Sequence, residues 1–205
     1  MNYNEAMQYI ESLGKFGIHL GMERITGLVE LLDHPERKIR TIHITGTNGK
    51  GSVASYLSHI LTASGKKTAC YTSPHFVKYN ERMSIDGVDI SDEDFAAGPE
   101  ETKADGDTFL KNGGEQPPQF EVITAMAFLY FAKEKVDYAV IEVGMGGLWD
   151  STNVIVPELS VITNVTLEHT DRLGKTIEAI AEQKAGIIKD HVPVVTAADG
   201  SALEV

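Results

Sequence analysis

Thr45-Gly46-Thr47-Asn48-Gly49-Lys50-Gly51-Ser52 is the stretch that decides the fold. A short apolar, β-branched run at residues 41–44 precedes it and predicts a buried strand. The apolar residues after it recur at helical spacing and predict one buried helix face: Val53, Tyr56, Leu57, Ile60 and Leu61. A glycine-rich turn between a strand and a helix suits a phosphate, because glycine permits positive φ and the helix N-terminus attracts anions. We therefore interpret residues 45–52 as a phosphate-binding loop.

Within this loop, we expect Lys50 to reach the terminal phosphates of ATP, while the Ser52 hydroxyl meets a phosphate or Mg²⁺. The backbone completes the predicted nucleotide site at Gly46, Thr47, Asn48, Gly49 and Gly51. The general P-loop pattern differs at two points: it has Gly at the position of Ile44, and Ser or Thr at the position of Gly51. The alternative is an ordinary Gly-rich βα turn. Three glycines, a lysine and a hydroxyl at one junction make that alternative the weaker interpretation.

The composition is that of a globular protein large enough for one α/β domain, with 205 residues, 42% of them hydrophobic and 23% charged. A formal net charge of -12 argues against nonspecific binding to nucleic acid or an anionic membrane. Cys70 is the only cysteine, so no intrachain disulfide is possible. The N-terminus is polar and acidic, unlike a signal peptide, and no apolar run approaches the ~20 residues of a membrane span. We therefore expect a cytoplasmic protein.

Apolar runs alternate with helical patterns, which predicts a doubly wound, mostly parallel α/β sheet with helices on both faces. Buried strands are expected at residues 41–44, 67–71, 138–143, 159–163 and 192–195, and further helices at 4–13, 22–32, 120–135 and 176–188. Between them, residues 83–87 predict a hairpin turn, and Ser91 is expected to cap a helix that Gly98-Pro99 weakens. Ligands of such sheets bind beyond the carboxyl ends of the strands, where we expect the site.

Short motifs follow one another along the chain: Phe16-Gly17-Ile18, the loop 46–52, Thr72-Ser73-Pro74-His75, Glu81-Arg82, Phe120-Glu121-Val122, Glu142-Val143-Gly144-Met145-Gly146-Gly147, Asp150-Ser151-Thr152-Asn153, His169 with Leu173-Gly174, and Lys184-Ala185-Gly186-Ile187-Ile188-Lys189. In this order they resemble the folylpolyglutamate synthase/dihydrofolate synthase family within the Mur ligase group. The chain departs from the family at Leu148, where Arg is common, and at Glu168, where Asp is usual. Family members are also about twice as long and carry a second α/β domain.

The resemblance implies that residues 1–205 form an ATP-binding domain with a P-loop NTPase-like fold of the Mur ligase central-domain type. The C-terminal glutamate-ligase domain is then missing. The family adds L-glutamate to folate or dihydropteroate. A carboxylate is a poor acyl donor, so ATP first converts it to an acyl phosphate, which the glutamate amine attacks with loss of phosphate. ATP and Mg²⁺ are the implied cofactors, the partners are these small molecules, and we expect a monomer.

Roles carry over from the family residue by residue. The implied catalytic residues are Lys50, Asp150, His169 and Lys184, with Lys184 carbamylated; the implied metal ligands are Ser73, Glu142 and His169; and Asp150 and Asn153 lie near the acceptor, with Asn153 also assigned to the cofactor site. Residues 76–82 form a candidate mobile lid. Each role has a structural alternative: a turn serine, an Asx turn, a structural histidine, or a solvated helix lysine in an ion pair. A buried acid such as Glu142, at the end of an apolar run, needs a partner in any case.

Three other functions remain open. A Mur-type ligase acting on a nucleotide-sugar peptide shares much of the machinery, although the Gly-Lys-Gly-Ser and Ser-Pro-His motifs favour the folate branch. A nucleotide-binding fragment without catalysis of its own would bind ATP but release no ADP in response to an acceptor. A P-loop kinase gives residues 142–153 no role.

Overall fold

The computed structural model describes residues 1–17 and 21–205, so Ile18 of the Phe16-Gly17-Ile18 motif lies outside the described residues. Its helices are α1 (Tyr3–Leu13), α2 (Glu23–Leu31), α3 (Lys50–Ala63), α4 (Asp92–Lys111), α5 (Gln119–Lys133) and α6 (Ile177–Ala185). Its strands are β1 (Thr41–Thr45), β2 (Thr68–Tyr71), β3 (Met83–Ile85), β4 (Val88–Asp89), β5 (Tyr138–Glu142), β6 (Leu159–Ile162) and β7 (Val194–Thr196). In the described part of the chain, no helix combines the length and the apolar character that a membrane span requires.

These strands form one seven-stranded sheet in the order β4-β3-β2-β5-β1-β6-β7. The strands from β2 to β7 in this order pair in parallel, and the β3–β4 hairpin adds an antiparallel edge. The predicted mostly parallel sheet and the hairpin turn are therefore confirmed. Because β1 lies between β5 and β6, with Ile44 opposite Glu142 and Thr45 opposite Ile162, the loops after these three strands meet at one edge.

Both faces of the sheet are covered by helices, as predicted. The larger core joins α1, α2, α4 and α5 to strand residues such as Tyr71 and Ile141. On the opposite face, α3 packs against Ile42, Ile44 and Val140. Successive strand side chains point to opposite faces, so His43 points away from α3, between Ile42 and Ile44.

The prediction of which α3 residues form its buried apolar face is partly wrong. Tyr56 and Ile60 are 69% and 63% exposed. The stripe that meets the sheet instead contains the small buried residues Ala54 and Ser58, flanked by the half-buried Leu57. Small side chains let the helix axis approach the strands closely, and this rotates the larger apolar residues towards solvent.

The last strand also differs from its prediction. Residues 192–195 were expected to form a core strand, but β7 (Val194–Thr196) is the edge strand, and all three of its residues are exposed. It pairs only with β6 among the described strands. Helix α4 runs unbroken through Gly98-Pro99, where the glycine lets the helix approach Met126, since a Cβ there would lie 2.6 Å from its Cε.

Helix α6 ends at Ala185, three residues before the predicted end. Gly186 caps the helix, and it packs closely on the next loop, since an added Cβ would meet the Leu148 backbone at 2.4 Å. Leu148, the residue at which this chain differs from the family pattern, therefore packs against the end of α6. Its N–H donates to the Gln183 carbonyl at 2.7 Å.

Candidate active site

The phosphate-binding loop leaves β1 at Gly46, whose φ is 147°, and enters α3 through Gly49, which caps the helix in the left-handed region at φ 81°. Neither conformation suits a residue with a Cβ. At Gly46 space excludes a side chain as well, because a Cβ would lie 1.9 Å from Thr163 Oγ1. The loop is therefore shaped by its glycines, as the sequence predicted.

The end of β6 holds this loop in place. Asn164 accepts the Thr47 N–H at its carbonyl and the Asn48 N–H at its Oδ1, each at 3.0 Å. Thr163 Oγ1 donates to the Asn48 carbonyl at 2.6 Å. No specific role was predicted for Thr163 or Asn164, although they lie at the end of a predicted buried strand, where site residues are expected. They orient the loop before any ligand binds.

Lys50 begins α3 and folds back over the loop. Its Nζ donates to the carbonyls of Gly46 at 2.8 Å and Thr47 at 3.2 Å. The ammonium thus lies beside the first turn of α3, whose N–H groups and dipole favour an anion. Ser52, the third residue of α3, is exposed. A polyphosphate bound here would meet amides, a lysine and a hydroxyl together.

Glu142 ends β5 and faces the same helix start. It is 5% exposed, and a Cβ built on Gly51 would lie 3.5 Å from its Oε2. The Ser73 N–H donates to Oε2 at 3.3 Å. Burial raises the pKa of Glu142, while the Ser73 N–H and the Lys50 charge lower it. The structure therefore brings Lys50, Gly51, Ser73 and Glu142 together.

These groups suit a hard cation better than a protein partner. A buried carboxylate with one long hydrogen bond is poorly compensated, and that bond comes from the backbone of Ser73, a residue with a hydroxyl, so both residues carry the oxygen ligands that Mg²⁺ prefers. No three His, Cys, Asp or Glu side chains gather as a metal site within residues 1–17 and 21–205. A Mg²⁺ ion at a nucleotide is usually held by one or two carboxylates, substrate phosphates and several waters.

Lys184 and His169 lie on neighbouring segments. Lys184 is 1% exposed, and its Nζ donates to Glu168 Oε1 at 2.5 Å. Burial lowers its pKa, which the carboxylate of Glu168 opposes. The ion pair that the structural alternative predicts is present, but its lysine is buried and Glu168 is only partly exposed. His169 is exposed with a φ of 42°, and its carbonyl accepts the N–H groups of Arg172 and Leu173.

A cavity of about 320 Å³ opens beside Ser73. It lies between the loop after β2, the loop after β5 and the start of α5. Its walls are largely flat or apolar side chains with a few acids and one arginine: Pro74, Arg82, Phe120, Glu121, Met145, Trp149 and Asp150. Trp149 is 45% exposed. The shape and chemistry suit a flat ring with a polar edge.

Asp150 is buried in the wall of this cavity. Its Oδ1 accepts from the Thr152 N–H at 3.0 Å and hydroxyl at 2.5 Å, and its Oδ2 accepts the Met145 N–H at 2.9 Å. Burial raises its pKa, and these bonds offset part of the rise. The Asx turn of the structural alternative is thus formed, while the residue still lines the cavity. Asn153 donates from Nδ2 to the carbonyls of Leu148 and Gly186 at 3.1 and 3.0 Å, tying this loop to the end of α6.

Glu121 is a wall residue to which sequence reasoning gave no role, although its motif was noted. It is 1% exposed at the start of α5, and its Oε1 accepts from Arg24 Nε at 3.1 Å. Burial raises its pKa to about 7 even though Arg24 lowers it. Its Oε2 is buried and has no hydrogen-bond partner among the described residues.

The segment of residues 76–82 next to the cavity is a loop that internal hydrogen bonds hold in shape. The Glu81 carboxylate accepts the N–H groups of Phe76, Val77 and Lys78 at 2.7–2.8 Å. Arg82 Nε donates to His75 Nδ1 at 3.0 Å. Phe76 and Val77 are left 98% and 82% exposed. Nothing in this geometry tests whether the segment moves as a lid, which stays a prediction.

Comparison with known proteins places these features in a family. Residues 101–203 match the Mur ligase middle domain. The dihydrofolate synthase/folylpolyglutamate synthase of Bacillus subtilis is 44% identical over 196 residues, which are 95% of this chain and 46% of that protein. The folylpolyglutamate synthase of Lacticaseibacillus casei is 46% identical over 200 residues, 96% of this chain and 46% of that protein.

Among solved structures, a complex of FPGS with AMPPCP and folate superposes with a TM-score of 0.92 at 43% identity, over 100% of this chain and 50% of that one. The chain spans about half the length of the curated relatives it matches. The shared half contains the phosphate-binding loop, the Glu142 region and the cavity.

Proposed function

Since this chain belongs to the Mur ligase family, in its folylpolyglutamate synthase/dihydrofolate synthase branch, we propose that it is the ATP-binding part of a ligase. The ligase adds L-glutamate to folate or dihydropteroate through an acyl phosphate. One observation carries this proposal: Ser73 lines the cavity and also binds Glu142, which faces the phosphate loop at Gly51. The cavity and the loop are therefore adjacent parts of one site, as phosphoryl transfer between two bound substrates requires.

At the nucleotide end, the loop amides and the first turn of α3 hold the polyphosphate, and Lys50 neutralises the charge that develops on the transferring group. In the structure the Lys50 ammonium donates hydrogen bonds to the Gly46 and Thr47 carbonyls. An incoming phosphate is a stronger partner than these carbonyls, because hydrogen bonds between two charged groups are the stronger ones. Lys50 is thus held next to the phosphate site by bonds that a bound phosphate can replace.

At the acceptor end, the cavity takes the flat heterocycle of the pterin between apolar walls. Folate and a nucleotide analogue occur together in the FPGS complex that this chain resembles over its whole length. In this chain Phe120 and Trp149 offer ring faces, and the Asp150 carboxylate offers an acceptor to a ring N–H. The carboxylate end of the acceptor then points towards Ser73 and the loop.

Ser73 and Glu142 are the residues that would hold Mg²⁺ at the nucleotide. The bound ion would neutralise phosphate charge during transfer. Glu142 suits this role because its burial disfavours the bare carboxylate, so that a cation relieves the cost.

We also propose that Lys184 becomes carbamylated and, with His169, borders a second Mg²⁺. Burial lowers the pKa of Lys184, which increases the fraction of neutral amine that attacks CO₂ with loss of a proton. The carbamate would be an anion next to Glu168, so the modification requires a cation between them. Mass spectrometry of the native protein at high bicarbonate, with and without Mg²⁺, tests it, and an unmodified amine in both samples contradicts it.

Residues 1–205 form one nucleotide-binding unit, which we propose to be a monomer of the reducing cytoplasm. Its single thiol, Cys70, is buried with a pKa raised to about 11 by that burial, so it stays protonated and unreactive.

The test is a pair of measurements on this chain and on a form as long as its relatives. Calorimetry should show the 205-residue chain binding an ATP analogue with Mg²⁺, and Lys50→Ala losing that binding. Ligation of glutamate should be sustained only in the longer form, because closure of a second domain excludes water from the acyl phosphate. Dihydropteroate, a reduced folate and a nucleotide-sugar peptide serve as alternative acceptors. Turnover with the nucleotide-sugar peptide alone would contradict the folate assignment.

A further inference from the structure

The side chain of His43 is fully buried in the centre of the sheet, where a polar ring is costly to bury. It occupies the middle of β1, a strand whose five residues are all buried. Its Nε2 lies 2.8 Å from Thr152 Oγ1, and its Nδ1 has no hydrogen-bond partner among the described residues. Burial lowers the pKa of His43 to about 3, and the charge of Lys189 adds to this, so the ring is neutral at any working pH.

The direction of the hydrogen bonds follows from the number of hydrogens. Asp150 receives the backbone N–H groups of Gly144, Met145 and Thr152 together with the Thr152 hydroxyl, the arrangement of a carboxylate that only accepts. The single hydroxyl hydrogen of Thr152 is therefore committed to Asp150 Oδ1. Thr152 Oγ1 can then only accept from the ring, so Nε2 of His43 carries the proton. A directed chain runs from His43 through Thr152 to Asp150.

This hydrogen-bond chain ends on a carboxylate that lines the cavity. Oδ1 accepts the N–H and the hydroxyl of Thr152. Oδ2 accepts the Met145 N–H, and the Gly144 N–H also bonds to this carboxylate, which forms part of the cavity wall. Hydrogen bonds in a chain polarise one another, so the loss of the donor from His43 weakens the bond from the Thr152 hydroxyl to Asp150.

We propose that His43 is a positioning residue for the acceptor: acting through Thr152, it holds the Asp150 carboxylate in the cavity wall, where that carboxylate accepts a ring N–H of the ligand. The inference rests on the proposed function, because it takes the cavity as the acceptor site. His43 lies on the central strand and does not line the cavity, so its effect on acceptor binding is indirect.

Stability alone does not account for this histidine. An unpartnered ring nitrogen in a dry interior is costly, and an apolar side chain of similar size would avoid that cost. Residues that break a local rule in this way are expected where function requires them. Replacement of His43 by leucine should therefore leave the melting temperature unchanged or raise it, while acceptor binding weakens.

The test separates these effects by measuring three quantities on the 205-residue chain. Calorimetry gives the affinities for dihydropteroate and for the ATP analogue with Mg²⁺, and thermal unfolding gives the melting temperature. Trp149, the single tryptophan of the chain, lies in the cavity wall and reports acceptor binding independently by fluorescence. His43→Leu removes the donor, and His43→Gln retains an N–H near the position of Nε2.

Thr152, the next residue of the hydrogen-bond chain, offers a matched pair of variants. Thr152→Val removes the hydroxyl, and Thr152→Ser retains it. His43→Leu and Thr152→Val should each weaken dihydropteroate binding about tenfold, the effect of one net hydrogen bond. The Gln and Ser variants should bind nearly as the wild type does. The double variant should be no weaker than either single variant, because both break the same chain. Nucleotide affinity should not change in any of them.

Wild-type dihydropteroate affinity in folded His43→Leu overturns the inference and leaves the proposed function intact. Equal losses of nucleotide and acceptor affinity with a lowered melting temperature also overturn it, since they indicate a purely structural role. If His43→Leu does not fold, Thr152→Val decides by the same criteria. A wild-type chain that binds nucleotide but no dihydropteroate overturns the acceptor assignment and the inference together, which distinguishes that failure from the others.

Discussion

The buried carboxyl of Glu121 should make this protein less stable as the pH rises, and the effect should disappear in Glu121→Gln. The side chain is 1% exposed, with Oε1 bound to Arg24 and Oε2 unpartnered among the described residues. Burial raises its pKa from 4.5 to about 7 despite the nearby guanidinium. The folded protein therefore binds this proton more tightly than the unfolded chain does.

The size of the effect follows from the shift. A rise from 4.5 to about 7 corresponds to about 3 kcal/mol at ~1.36 kcal/mol per pKa unit. Because the folded pKa is the higher one, this stabilisation is fully present below pH 4.5 and is lost as the pH rises through 7. For a chain of this size, about 3 kcal/mol corresponds to a change in melting temperature of about 6–12 °C.

Thermal unfolding at a series of pH values between 4.5 and 8.5 measures this dependence. The quantity of interest is the difference between wild type and variant, because Glu142 and Asp150 also have raised pKa values and add slopes of the same sign. Glu115→Gln is the matched control: Glu115 is the other carboxylate bound to Arg24, at 3.3 Å, but its side chain is 81% exposed. The control should keep the wild-type slope. If Glu121→Gln keeps it too, Glu121 is ionised in the folded protein throughout this range and the reasoning fails.

Three further changes test the site and the core. Glu142→Gln keeps the shape of the side chain but removes its charge, so calorimetry should show markedly weaker Mg²⁺-dependent nucleotide binding; an unchanged affinity would remove Glu142 from the metal site. Gly46→Ala should abolish nucleotide binding because its Cβ would lie 1.9 Å from Thr163 Oγ1, whereas the control Gly65→Ala, with nothing within 4 Å, should bind normally. Phe128→Ala should reduce the free energy of unfolding by about 3–5 kcal/mol in denaturant titrations, since the side chain is fully buried.

The sequence predicted those parts of the fold that depend on local pattern. The glycines of the loop, the apolar runs of β1, β2, β5 and β6, and the cap at Ser91 each depend on a few neighbouring residues. The alternation of strand and helix then favours parallel pairing, which places the strand ends at one edge. For this reason Lys50, Ser73 and Glu142 could be expected together before any contact was known.

Features set by distant contacts were missed. The apolar content of α3 does not reveal that Tyr56 and Ile60 face solvent, because the distance between helix and sheet is set by Ala54 and Ser58. The apolar run of β7 predicts a buried core strand, because the pattern alone does not show whether a strand lies inside the sheet or at its edge. Glu121 pairs with Arg24, 97 positions away in the sequence, and no periodicity connects them.

Charge explains how the proposed site would orient its acceptor. The protein carries a formal net charge of -12, so an anionic substrate is disfavoured over most of its surface. Within the site the loop has the strongest attraction for an anion, because Lys50 and the N-terminus of α3 lie there. The cavity wall has Asp150 as an acceptor, with Arg82 and with Glu121, which is paired with Arg24. A pteroate has neutral ring N–H groups at one end and a carboxylate at the other. Asp150 accepts from the ring end and the loop attracts the carboxylate, so this orientation satisfies both ends and directs the carboxylate towards the phosphate that must activate it.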